Sequence, residues 1–284
     1  MLNRRKFIQT VAAGTAAAFI PKTLTSCGDD VRKLENIGYI TGMIRNEVRD
    51  GDWQEVFAAT AGMGYTEIET GNYLGDSAQS FLSYLGSLGM KVVAGGAAFS
   101  ENMDEVNSSL DRLNALEVEY AVLYWPWFGG APLSLDDCKI SADLLNRIGE
   151  MCRSRGLTLC WHNHDLEFHA TKEGVIPFDY LMDNTDEQLV KCELDIYWTK
   201  KGGADPVETL RKYRGRYPLL HVKDMAPGEE ETFACPGSGI IDFGTVLAEA
   251  VDQDIRHYFV EKDNVVDGLA CLESAATYLK SLRF

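Results

Sequence analysis

The chain has 284 residues, 45% of them hydrophobic and 25% charged, the balance of an ordinary folded protein. That excludes a disordered tail and, because no apolar run reaches about 18 residues, a multi-span membrane protein. The formal charge is −16, from 27 Lys+Arg against 43 Asp+Glu, with no basic cluster to interrupt it, so nucleic acid is excluded as a partner and a neutral or weakly charged small molecule fits better.

The opening segment reads as an address. Arg4, Arg5 and Lys6 form a positive region, and Val11 to Ile20 is a short stretch of small apolar residues, too short for a stable anchor but suited to a cleaved signal peptide. Arg4-Arg5 followed by Lys6-Phe7-Ile8 resembles a twin-arginine export signal, and Leu24-Thr25-Ser26-Cys27 resembles a bacterial lipobox. The expectation is a signal peptide over residues 1–26, lipidation of Cys27, a tether over 27–35 and one domain over 36–284. Lipidation makes the protein an exported lipoprotein, periplasmic or on the cell surface, whose contact with the membrane is the lipid alone.

Beyond the tether, short β-branched and aromatic runs alternate with longer segments of helical period. Strands are expected at 36–40, 65–69, 91–94, 120–124, 157–161, 190–194, 219–222 and 258–260. Asp52 is a helix cap, and Phe81, Leu82, Leu85 and Leu88 form the stripe of a packed helix that Gly89 stops. Later helices carry Val106, Leu110, Leu113 and Leu116, then Leu145, Ile148 and Cys152, and one opens at Asp205-Pro206. Eight strands alternating with helices in about 250 residues predict a single-domain (β/α)8 TIM barrel. No G-x-G-x-x-G follows the first strand, which argues against a dinucleotide-binding sheet. Cys138, Cys152, Cys160 and Cys192 sit in strand-like or amphipathic segments, where a thiol acts as a small hydrophobe. No C-x-x-C pair is present, and the spacing leaves open whether a disulfide forms.

In such a barrel the strand ends build the active site. Strand five runs into His162-Asn163-His164-Asp165-Leu166-Glu167-Phe168, strand six ends at Asp195-Ile196-Tyr197-Trp198, strand seven at His221-Val222-Lys223-Asp224, and strand eight at Glu261-Lys262-Asp263. His162, Asp195, His221 and Glu261 form a mixed nitrogen and oxygen set suited to Mn, Zn, Co or Fe as a divalent cofactor. Each also has an ordinary alternative: Asp195 as a loop cap, His221 as a donor to a carbonyl, Glu261 as the partner of an arginine. Only His257 lies on the opposite, structural side.

These motifs, with Gly203-Ala204-Asp205-Pro206 after strand six, resemble the xylose isomerase-like barrel superfamily over essentially all of residues 36–284. That sugar phosphate isomerase/epimerase group also contains inosose dehydratases and an apurinic-site endonuclease. The resemblance implies a metal held by Glu, Asp, His and Glu from strands five to eight. The last three fall on Asp195, His221 and Glu261, whereas the strand-five position holds His162 in place of Glu. Loss of that acid puts a symmetric two-base epimerisation in doubt.

The function expected is a metal-dependent isomerase or epimerase of a non-phosphorylated sugar or keto-sugar acting through an enediolate. The alternatives are a lyase, dehydratase or hydratase acting on a keto-sugar or inosose, and a non-catalytic surface lipoprotein that binds glycans. Glu261 is the candidate base, His164 a second proton carrier, and Lys223 an oxyanion donor or the partner of Asp224 or Glu193. Substrate contacts are assigned to Glu69, Trp125, Trp127 and Trp198, although Glu69 could instead pair with Arg45 and about half of the aromatics belong to the core. Gly237-Ser238-Gly239 is either an anion cradle or a flexible loop.

Overall fold

The structure is a computed structural model that describes residues 32–284. The expected signal peptide, the lipobox with Cys27, and most of the tether lie outside the described residues.

Eight parallel strands close into a barrel, and the chain visits them in order around it. They are β1 (Gly38–Ile40), β2 (Glu67–Glu69), β3 (Lys91–Gly96), β4 (Tyr120–Leu123), β5 (Thr158–His162), β6 (Val190–Asp195), β7 (Leu219–Val222) and, after a small hairpin, β10 (His257–Val260). Each overlaps an expected run, and the differences lie at the ends, where a residue or two joins or leaves the ladder. Strand eight begins one residue early, so His257 opens it; the imidazole still lies at the amino-terminal end, where Nδ1–H is donated to Glu67 at 2.8 Å.

Helices form where capping signals stand before apolar stripes. The side chain of Asp52 accepts from the Gln54 N–H to open α2 (Trp53–Gly62), and Asp205 accepts from Val207 and Glu208 to open α8 (Pro206–Lys212). Ser134 and Asp137 form a reciprocal capping box at the start of α5 (Leu135–Ser154). The buried faces of these helices pack on the outward-facing strand residues, such as Leu159, Cys192 and Leu220. Inside the barrel a separate apolar plug contains Val93, Ala94, Val122, Cys160, Leu219 and Phe259.

Period-two alternation explains what stands above that plug. Counting on from Cys160, Leu219 and Phe259, the next inward positions are His162, His221 and Glu261, with Lys223 beyond His221. The plug sets the floor of the site, and the strand ends supply its walls.

The segment after β7 departs from a simple strand-to-helix turn. Asp224–Met225 (β8) pairs antiparallel with Phe233–Ala234 (β9) before α9 (Phe243–Asp252) begins. Two-residue strands carry no periodic signal, so the sequence does not reveal them. Asp224 is fully buried and organises this segment. Its carboxylate accepts backbone N–H bonds from Met225 at 2.8 Å, Gly237 at 3.0 Å, Gly239 at 2.9 Å and Ile241 at 3.2 Å. The glycine loop considered as an anion cradle is therefore occupied by the protein's own carboxylate. Glycine is required there, since a Cβ on Gly239 would stand 2.2 Å from the Met225 carbonyl oxygen. A disulfide between Cys235 and Cys271, Cα atoms 5.6 Å apart, ties the same segment to α10 (Gly268–Ser281). Cys138, Cys152, Cys160 and Cys192 are buried free thiols.

Replacing Asp224 by Ala leaves buried N–H groups unpaired and is expected to cost about 3 kcal/mol or more of unfolding free energy. Asp224→Asn, which retains one acceptor oxygen, should cost less. Urea denaturation of the two variants checks this ordering; equal, near-zero losses would contradict the role given to Asp224.

Candidate active site

His162 and Asp195 end β5 and β6, His221 lies within β7, and Glu261 follows β10 directly. One ligand atom from each of these side chains lies within 4.8 Å of every other, so the strand ends bring the four expected metal ligands to a common point. His162, Asp195 and His221 are buried, and Glu261 faces the mouth with its side chain 16% exposed.

The two imidazoles are oriented from behind by carboxylates. Nδ1 of His162 stands 3.1 Å from Oε2 of Glu193, while its Nε2 faces Oδ2 of Asp195 at 3.8 Å. Nε2 of His221 stands 2.9 Å from Oε2 of Glu69 and 3.3 Å from Oε2 of Glu193, while its Nδ1 meets Oε2 of Glu261 at 2.8 Å. Glu193 thus touches both rings and turns one nitrogen of each toward the shared point, the arrangement by which a carboxylate fixes the tautomer of a ligating histidine. Glu69 is fixed in turn by the hydroxyl of Tyr124. Its pairing with Arg45 does not occur, because Glu69 is wholly buried and Arg45 lies at the surface, where it donates to Gly42.

Asp195 serves two purposes. Oδ1 accepts the Trp198 N–H at 2.8 Å and caps the helix α7 (Ile196–Lys201), where the sequence suggests the cap of a loop. Oδ2 is buried without a hydrogen-bond partner. A buried, unpartnered carboxylate oxygen facing an imidazole nitrogen is costly unless a cation satisfies it. That oxygen, with the mixed nitrogen and oxygen donors around it, fits a divalent ion. Glu69, Glu193 and His221 form a second close group; there Glu69 and His221 pair with one another, while Oε1 of Glu193 is buried without a hydrogen-bond partner.

Lys223 completes the charge balance. It is buried, and its ammonium donates to Asp263 at 2.6 Å and Glu261 at 3.3 Å, with Asp195 at 3.8 Å. Neither Asp224 nor Glu193 is its partner, because Asp224 is committed to backbone N–H groups and Glu193 to the histidines. Phe233 and Trp198 each stand 5.0 Å from the ammonium.

These contacts set the protonation pattern. Burial, reinforced by the adjacent Glu69, pushes the Glu193 carboxyl up to about 8. Burial also pushes Asp195 up to about 7, against the pull of Lys223. Burial works against ionisation of Glu261 too, but His221 and Lys223 together outweigh it and hold that carboxyl well below the usual range. Burial opposes charge on His221, yet Glu193, Glu69 and Glu261 hold it well above an ordinary histidine. His162 is held neutral by burial and by His221. His164 is lowered to about 4 by burial and then by Lys223. On these side chains alone, a proton on His221 and the Lys223 ammonium offset the carboxylates.

The remaining expected residues divide. The His164 ring lies 5.1 Å from His162, 5.2 Å from Trp125 and 5.3 Å from Trp198, and its Nδ1 is buried without a partner. Trp198 and Trp125 therefore border the site. Trp127 does not: it is 3% exposed, packs in the core, and donates its indole N–H to Glu167 at 2.7 Å. Glu193 is the central residue that sequence reasoning passed over, entering only as a possible partner of Lys223. The signal was present, since Glu193 stands two residues before Asp195 on one strand and so shares its inward face.

A family profile described as xylose isomerase-like TIM barrel matches residues 57–280. Among curated proteins, an inosose dehydratase of Geobacillus kaustophilus is 25% identical over 245 residues, covering 72% of this chain and 78% of that protein. An inosose dehydratase of Clostridium perfringens is 29% identical over 144 residues, 45% of this chain and 48% of that protein. Among solved structures, a sugar phosphate isomerase/epimerase from Parabacteroides distasonis superposes with a TM-score of 0.75 at 24% identity, covering 92% of this chain and 98% of that one. A probable 3-DHS dehydratase from Bacillus anthracis superposes with a TM-score of 0.70 at 14% identity, over 86% of this chain and 98% of that one. The chain belongs to the xylose isomerase-like TIM barrel family.

Proposed function

We propose that the protein is a lyase of the dehydratase type, which removes the proton next to the carbonyl of a non-phosphorylated keto-sugar or cyclitol and expels a neighbouring hydroxyl as water. The observation that carries this reading is Glu261, a carboxylate at the mouth with one oxygen unengaged, beside a buried ammonium and within a four-ligand metal cradle. The similarity to inosose dehydratases supports it.

A divalent ion held by His162, Asp195, His221 and Glu261 would supply positive charge beside the substrate carbonyl, lowering the cost of the enolate by several kcal/mol. Oε2 of Glu261 is engaged by His221 and Lys223, whereas Oε1 has no partner among the described residues. Oε1 takes the proton from carbon. The C–H electron pair becomes the new double bond, the C–O bond breaks toward oxygen, and the protonated Glu261 returns its proton to the departing hydroxyl. One carboxylate thus serves both half-reactions, as suits a site whose strand-five position is His162 instead of an acid. Lys223 keeps its proton and donates a hydrogen bond to developing negative charge. Trp198 covers the site from one side.

Isomerisation is the second reading, and His164 favours it. A neutral imidazole with an unpartnered Nδ1 beside His162 is a second proton carrier, which proton transfer between two carbons requires. Turnover in deuterium oxide on a panel of keto-sugars and inososes separates the two. Elimination lowers the product mass by one water; isomerisation leaves the mass unchanged apart from incorporated deuterium. The proposal expects the first, and unchanged mass would overturn it. Glu261→Gln should lower kcat about 10²- to 10⁴-fold.

Metal dependence is part of the proposal. The purified protein is expected to carry about one equivalent of a divalent metal by elemental analysis, and Asp195→Ala or His221→Ala should bring the content near zero. Undiminished metal in either variant would refute the ligand set.

Export as a lipoprotein through Cys27 belongs to the same reading. Its support is the order of charge, apolar stretch and cysteine at the start of the chain, together with the Cys235–Cys271 disulfide, a bond that persists in oxidising compartments. Cys27→Ser should shift the protein from the membrane fraction to the soluble one on cell fractionation. Continued membrane association would count against the lipid anchor.

A further inference from the structure

From the candidate centre a connected series of rings leads outward. Centroids of His221 and His162 are 4.6 Å apart, those of His162 and His164 5.1 Å, and those of His164 and Trp125 5.2 Å. Trp125 is 41% exposed, and Phe128 on the same loop is 57% exposed, with its ring 5.0 Å from Phe99. One exposed aromatic needs no explanation, but two on a single short loop beside a site do.

The loop that carries them is anchored from within. Between Trp125 and Phe128, the buried Pro126 accepts a hydrogen bond from the Ser141 hydroxyl at 2.6 Å, and the buried Trp127 donates to Oε1 of Glu167 at 2.7 Å. The other oxygen of Glu167 accepts the backbone N–H of His164 at 2.8 Å, so one carboxyl group ties this loop to the residue that borders the centre. The indole N–H of Trp125 is itself donated to the Gly129 carbonyl at 3.2 Å. Its polar edge is satisfied inside the loop, and what remains for a ligand is the flat face. Gly129 and Gly130 add no bulk; a Cβ on either would meet nothing within 4 Å.

We infer that Trp125, assisted by Phe128, is a stacking subsite for a second sugar ring, and that the substrate is a disaccharide or sugar glycoside whose other ring reacts at the centre. This rests on the carbohydrate reading above and narrows its substrate class. The inner ring lies among His162, His164 and Trp198. Trp125 is the last ring of the series, 5.2 Å from His164, and it is 41% exposed where His221 and His162 are buried, so it faces the opening through which a second ring would extend. A half-exposed indole face suits a pyranose, which is apolar on its C–H face and hydroxylated at its rim. A fully apolar group would be better served by a closed pocket. The negative charge of the chain agrees with an uncharged outer ring.

The test is equilibrium binding, which does not depend on turnover. Titration calorimetry of the metal-loaded protein compares glucose with cellobiose and maltose, and repeats the series with Trp125→Ala and Trp125→Phe. At least one disaccharide is expected to bind about five- to tenfold more tightly than glucose, with that advantage collapsing toward unity in Trp125→Ala and largely retained in Trp125→Phe. Disaccharides binding no better than glucose, an advantage that survives in Trp125→Ala, or no measurable binding of either disaccharide would each overturn the subsite. Failure of the elimination chemistry would appear instead in the mass of the products and leaves the binding result standing.

Discussion

Everything at the mouth of this barrel follows from placing carboxylates where water cannot solvate them. Glu69, Glu193 and Asp195 are fully buried, and Glu261 is nearly so. An unpaired charge in such a place costs several kcal/mol, so the site must supply compensating positive charge. His221 and Lys223 supply part of it from within the chain, each meeting two or more of these acids. Oδ2 of Asp195 and Oε1 of Glu193 are left without a hydrogen-bond partner and mark where that compensation is incomplete; at Asp195, among nitrogen and oxygen donors, a divalent cation is the species whose size and charge would complete it. The same constraint gives Glu193 its role. By touching both histidines it determines which nitrogen of each faces the shared point.

The two ends of the barrel interior make an instructive contrast. At the amino-terminal end, Glu67 is also buried, but His257 and Lys91 meet its two oxygens at 2.8 Å and 3.3 Å. Each oxygen of that group faces a basic side chain of the chain itself, although Oε1 meets Lys91 as an ion pair without a hydrogen bond, and the group reads as structure. At the carboxy-terminal end the acids outnumber their partners, and the surplus faces a mouth lined by aromatics. Chemistry belongs where polar groups converge without fully neutralising one another.

Much of this was legible in the sequence, for identifiable reasons. Most strands announced themselves because parallel strands covered on both sides are short apolar runs, although β2 is Glu67-Ile68-Glu69, and the helices because caps such as Asp52 and Asp205 precede amphipathic stripes. His162, Asp195, His221 and Glu261 could be picked out because each stands where such a run ends. What escaped depends on tertiary partners. The β8–β9 hairpin is too short to carry a pattern, and the commitment of Asp224 to the 237–241 loop joins residues more than ten positions apart. Trp127 and Trp125 are neighbours of the same kind in one loop. Nothing local reveals that Glu167 draws the first inward while the second stays out.

His162 at the strand-five position, where the resemblance implies an acid, is the feature that most separates this chain from the acid–base symmetry expected of an epimerase. It keeps a donor for a metal while removing a proton acceptor, and so shifts the reading toward chemistry run by one carboxylate. All of this depends on a single cation at the convergence of the four strand ends. Anomalous diffraction at the absorption edges of the candidate metals tests for that ion directly. The account predicts one peak within coordination distance of His162, Asp195, His221 and Glu261. A peak elsewhere, including one held by Glu69 and Glu193 without Asp195, would contradict it.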